Sequence, residues 1–167
     1  MAIREIVTYP QGVLKKRSED VVKITEDIRV LIRDMRETLY ASGGIGLAAP
    51  QIGVNQRVIV VDVTSFHPEQ KPFALINPEI VSREGDIEST EGCLSIPGLL
   101  ETIQRGEKLT VRGTDEDGNQ VEIEATGMLA ICLQHEIDHL NGMTIVERLS
   151  PLKREIVKRK IRKGLTD

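Results

Sequence analysis

The sequence predicts an α+β fold: short antiparallel strands packed around a central metal-binding helix, with a C-terminal helix. Three observations carry this expectation. Apolar residues recur at helical spacing in only a few segments. Between these lie short β-type runs separated by turn residues, without a crossover helix between each pair. The motif His135-Glu136-Ile137-Asp138-His139 falls on one of the helical segments, downstream of apolar Met128, Leu129, Ile131, Cys132 and Leu133.

In chain order, Ile28, Leu31, Ile32, Met35 and Leu39 form the i, i+3, i+4, i+7, i+11 face of an amphipathic helix over 25–42. Thr25 is placed to cap it, and Gly43–Gly44 stop it. Strands are expected over Arg57–Val63, Phe73–Asn77, Ile80–Arg83, Leu109–Val111 and Val121–Ile123, with Pro78 between the second and third and Asp117–Gly118 turning between the last two. Thr126 opens a helix running to about Asn141, ended by Gly142, and Pro151 opens the last helix. Leu152, Ile156, Val157 and Ile161 form a stripe by which that helix docks. The whole chain, 1–167, reads as one domain, with 151–167 as a basic helix.

Of 167 residues, 40% are hydrophobic and 29% charged, a soluble, globular composition. Two Tyr, two Phe and no Trp make the core aliphatic and leave no platform for stacking nucleic-acid bases, so DNA is not an expected partner. Neither a signal peptide nor a membrane-length apolar run is visible. Two cysteines, Cys93 and Cys132, make no disulfide framework, which points to a reducing compartment, the bacterial cytoplasm. The net charge of −4 is uneven: seven Lys/Arg against two acids leave 151–167 at +5 and the body at −9.

Two histidines four apart on a helix project from one face and can grip one cation, and Glu136 beside them can take a proton from a water that the cation activates. A catalytic site normally takes a third protein ligand. Ile145 stands where a metzincin would have its third His, and Glu155 lies in a strongly basic segment. That leaves Cys93 in Glu91-Gly92-Cys93-Leu94-Ser95, since a thiolate suits zinc or ferrous iron. Cys93 as a small buried hydrophobe, or as a nucleophile paired with a His, are the other readings. The segment Gly44-Ile45-Gly46-Leu47-Ala48-Ala49-Pro50-Gln51 contains the letters of a dinucleotide fingerprint but follows a helix instead of a strand, and Pro50 opposes a helix after it. It reads better as an extended glycine-rich edge open to a substrate backbone, with Gln51 as an amide donor. His67 reads as a solvated loop residue.

Taken together, Gly44–Gln51, Glu91–Ser95 and His135–His139 match GxGxAAxQ, EGCLS and HExDH in order, and the sequence resembles the peptide deformylases over nearly its whole length. The resemblance implies an enzyme that removes formyl from the N-terminal formyl-methionine of new polypeptides. It implies one divalent metal on Cys93, His135 and His139, with Fe2+ native and Zn2+, Ni2+ or Co2+ as substitutes. It implies Glu136 as base, and Gln51 and the Leu94 backbone N–H as oxyanion donors. Ile45, Gly46 and Gly92 would bind the peptide backbone, and Ile45, Met128, Ile131 and Cys132 would line the methionine pocket. Ser89 replaces an aliphatic residue frequent in relatives, and Leu99-Leu100-Glu101 lacks the Arg some of them carry. Expected partners are formyl-methionyl nascent peptides and, through the basic helix, the ribosome; the expected state is a monomer in the cytoplasm. An HExxH peptidase or a structural-zinc module fits less well, because the first lacks its third ligand and the second needs neither Glu136 nor Gln51.

Overall fold

A computed structural model describes residues 2–164. Helix α1 spans Glu26–Ser42. Seven strands follow: β1 (Gly46–Ala48), β2 (Val58–Val61), β3 (Phe73–Glu84), β4 (Ile87–Cys93), β5 (Ile96–Arg105), β6 (Lys108–Thr114) and β7 (Gln120–Thr126). Helices α2 (Gly127–Leu140) and α3 (Pro151–Lys163) complete the fold. Residues 165–167 of the expected basic segment lie outside the described residues.

Five strands form an antiparallel sheet in the order β1-β2-β3-β6-β7, and β4–β5 is a separate hairpin between β3 and β6. The sheet is covered on both faces, which explains why β2 reads Val-Ile-Val-Val without alternation: Ile59 and Val61 pack toward α2, Val58 and Val60 toward α1. A third cluster joins Leu14, Ile96, Leu99, Ile103 and Ile145 to Val157 of α3.

Most of the expected elements are present, with three differences. First, the two runs around Pro78 are one strand. Asn77 takes a left-handed φ of 52°, and its side chain exchanges two hydrogen bonds of 2.8 Å with the Val21 backbone. The resulting register shifts against β6 absorb the proline, which cannot donate to the ladder. Second, the α3 stripe is split: Val157 is buried and Ile161 packs beside it, whereas Leu152 is 75% and Ile156 46% exposed. Third, Thr25 and Thr126 occupy the cap positions of α1 and α2 without making side-chain cap bonds. Ser150 does cap α3, accepting from the Lys153 N–H.

Candidate active site

Helix α2 is buried nearly all round, with ten of its fourteen residues buried, so it lies inside the fold instead of on it. Its polar side chains must therefore be partnered. Gln134 bridges to both backbone groups of Gly106, its Oε1 accepting at 2.7 Å and its Nε2 donating at 3.0 Å. His135 and His139 face the β4–β5 hairpin. Their Nε2 atoms are 3.2 Å apart, and Cys93 Sγ lies 3.3 Å from His139 Nε2. The donor atoms of Cys93, His135 and His139 all fall within 4.8 Å of one another. A tetrahedral ion with bonds of about 2.0–2.3 Å needs ligand separations of about 3.3–3.8 Å. This donor set fits one borderline or soft divalent cation.

Glu91 fixes the first histidine. Its Oε1 lies 2.9 Å from His135 Nδ1, leaving Nε2 to face the other donors. Arg105 grips the same carboxylate through Nε at 2.9 Å and Nη2 at 2.7 Å. Burial pushes the Glu91 carboxyl up, but the bonds from Arg105 and His135 outweigh it and hold it at about 2. Burial alone would depress His135, but its contacts with Cys93 and Glu91 raise it. Burial, helped by the charges of His135 and Arg105, depresses His139 and favours the neutral ring that metal binding would require.

Glu136 is 4% exposed. Burial raises its carboxyl to about 7, against the pull of His135 and Arg105. That value suits a proton acceptor working near neutral pH. Gly46 makes room for it: a Cβ there would lie 2.7 Å from both Glu136 Oε2 and Cys132 Sγ. Burial and the neighbouring Glu136 and Glu91 charges push the Cys132 thiol well up.

Gln51 is held from both ends. Its Oε1 accepts from the Ala48 N–H at 2.9 Å, while Nε2 donates to Ser95 Oγ at 3.2 Å and points toward Cys93 Sγ at 3.7 Å. Among the described residues, strand β1 pairs only with β2 and leaves its other edge without a strand neighbour, as the glycine-rich reading requires. The segment then turns through a 3-10 helix, Ala49–Ile52, which agrees with rejecting a dinucleotide site. The Ile45 carbonyl already accepts from the Asp62 N–H at 2.8 Å.

Of the twelve site residues read from the sequence, all but His139 line one cavity of about 480 Å3, and His139 closes its floor, fully buried. The sequence reading missed Glu91 as the partner of His135, Arg105 and Asp138 behind it, Ser95 as the support of Gln51, and Phe66 on the rim. A metal-ligating His normally finds an acceptor for its second nitrogen, so the Glu two residues before Cys93 was the available signal. His67 departs from its surface reading: its Nε2 is buried and its ring packs against Gly127 at the start of α2.

The family model of polypeptide deformylase matches residues 3–155. The chain belongs to the peptide deformylase family. It is 51% identical over 162 residues to the peptide deformylase of Thermodesulfovibrio yellowstonii, covering 97% of this chain and 98% of that one. The crystal structure of the Legionella pneumophila peptide deformylase superposes with a TM-score of 0.89 at 46% identity, covering 96% and 94% of the two chains. That of the Ehrlichia chaffeensis enzyme in complex with actinonin gives 0.91 at 41% identity over the full length of both. As a peptide deformylase, the chain is a metal-dependent hydrolase that removes the formyl group from N-terminal formyl-methionine. No helix among the described residues is long and apolar enough to cross a membrane.

Proposed function

We propose that this deformylase works through one divalent cation held by Cys93, His135 and His139, with Glu136 as its base. The observation that carries this reading is the convergence of the three donor atoms within 4.8 Å at the cavity that Glu136 also lines. When bound, the cation supplies Lewis acidity, polarising the formyl carbonyl and lowering the pKa of a water toward about 7. Glu136 takes the proton from the attacking water. Gln51 Nε2 and the Leu94 N–H donate toward the charge that develops on the formyl oxygen. Glu136 then returns the proton to the leaving amine, so that one C–N bond breaks and formate departs.

Ile45, Gly46 and Gly92 take the peptide as an added strand on the open edge of β1. Ile45, Met128, Ile131 and Cys132 receive the methionine side chain. Fe2+ is the native ion on the strength of the family resemblance, and Zn2+, Ni2+ and Co2+ replace it, since one thiolate with two imidazoles accepts any of these borderline cations. The enzyme acts in the cytoplasm as a monomer of one catalytic domain, 1–167, on nascent chains at the ribosome.

The test is metal content and deformylation of formyl-Met-Ala on the same anaerobic sample. Wild type should hold one metal per chain, Cys93→Ala should lose most of it, and Cys132→Ala should keep it. Stoichiometric metal in Cys93→Ala would overturn the ligand set. For the ion, the iron form should lose activity in air much faster than the nickel form, since Fe2+ and the thiolate are both oxidisable; equal lifetimes would contradict ferrous iron.

A further inference from the structure

Behind His135 the ion pairs do not stop at Arg105. Arg105 Nη1 donates to Asp138 Oδ2 at 2.6 Å, and Arg148 grips the same Asp138 from outside, Nε to Oδ2 at 3.0 Å and Nη2 to Oδ1 at 2.6 Å. The Glu91, Arg105 and Asp138 side chains are 7%, 2% and 8% exposed, but that of Arg148 is 37% exposed. Two buried carboxylates thus share one buried guanidinium, and the second cation comes from the surface. Arg105 commits Nε and Nη2 to Glu91 and spends only Nη1 on Asp138, whose Oδ1 is taken by Arg148. With Arg148 removed, Asp138 Oδ1 keeps no partner among the described residues, and Arg105 must divide one charge between two carboxylates.

We propose that Arg148 is a positioning residue of the metal centre: by neutralising Asp138 it leaves Arg105 free to lock Glu91 against His135. It acts on the cation only through four other side chains, Asp138, Arg105, Glu91 and His135. The proposal rests on the reading of His135 as a ligand.

The experiment uses the full chain loaded with Co2+. It measures the Co2+ dissociation constant against a competing chelator and records the visible absorption of the bound ion. Partners one step behind a ligand are worth about 10–100-fold in metal affinity, so Arg148→Ala should weaken Co2+ by about 10-fold and shift the visible bands. Arg148→Lys keeps the charge but gives up the fork, and should show the same change in smaller measure even if the alanine variant folds poorly. In a Glu91→Gln background the Arg148 substitution should add little, because the route through Glu91 is already cut. Lys153→Ala, which breaks the 2.9 Å pair with Glu101 on the same side of the fold, should leave Co2+ binding unchanged. Wild-type affinity and spectrum in both Arg148 variants would overturn the proposal, and so would full additivity with Glu91→Gln. Loss of Co2+ binding in Cys93→Ala checks the ligand assignment separately, so the two failures are distinguishable.

Discussion

Glu136 is buried beside His135 and His139, the proposed ligands, and a Glu→Gln change there keeps shape while removing the proposed proton acceptor. With metal retained, Glu136→Gln should lower the deformylation rate by about 100-fold or more; near-normal turnover of the metal-loaded variant would exclude Glu136 as the base. The raised carboxyl fixes the sign of the pH dependence. Burial makes Glu136 hold its proton up to about pH 7, and a bound cation opposes this. The base should therefore be lost as pH falls, and kcat/KM should decline on the acid side at or below pH 7. Gly46 is the second residue whose role is set by contact. An added Cβ would meet Glu136 Oε2 and Cys132 Sγ, both at 2.7 Å, so Gly46→Ala should displace the base and cost activity while metal content stays near one. The histidine pair and its glutamate were legible in the sequence because helical spacing dictates where they project. Gly46 was read as an edge residue open to a substrate backbone. The sequence could not say that Glu136 itself crowds Gly46, because that contact joins residues ninety positions apart.

Among the elements, the β4–β5 hairpin is the one the sequence concealed, and the reason is physical. The buried positions of β4 are Ser89 and Glu91, so the centre of its inward face is polar and there is no hydrophobic alternation to mark the strand. In β5 the left-handed φ of 84° at Gly98 breaks the period. The elements with ordinary apolar faces, α1, β2, β6 and β7, were all legible, and the strand split at Pro78 failed because Asn77, held by the Val21 backbone, sits in a bulge that carries the strand past the proline. The polar face of β4 also has a consequence for stability. Glu91 holds a folded-state value of about 2 against an ordinary 4.5. A depressed carboxyl contributes stability that is fully present above its unfolded value and is lost as pH falls toward its folded one. Unfolding free energy should therefore drop between pH 4.5 and 2, and Glu91→Gln should flatten that part of the curve. A variant curve parallel to wild type in acid would show that Glu91 is not the group responsible.

At the scale of the whole molecule, an acidic body carries a basic helix held at defined points. Val157 anchors α3 in the third cluster, Arg154 Nη2 donates to the Glu147 and Leu149 carbonyls, and Lys153 pairs with Glu101 on β5, in the hairpin that carries Cys93. The helix is thus set against the side of the fold from which the substrate cavity is built. Arg159, Lys160, Arg162 and Lys163 are exposed, and none is paired with an acid among the described residues. Leu152 and Ile156, left out of the docked stripe, add apolar surface to the same helix. A solvated face would account for the charge alone, but it does not account for one-sided charge beside exposed leucine and isoleucine on the enzyme that meets nascent chains. We therefore expect α3 to bind ribosomal RNA phosphate near the point where new chains emerge. Counterion release makes such binding fall steeply with salt. Reversing Arg159, Lys160, Arg162 and Lys163 to Glu should abolish co-sedimentation with ribosomes at low salt. The same variant should still deformylate formyl-Met-Ala at the wild-type rate, because the proposed metal ligands lie on β4 and α2, so the two measurements separate docking from chemistry. Ribosome binding that survives all four reversals would reduce α3 to a solvated cap on the third cluster.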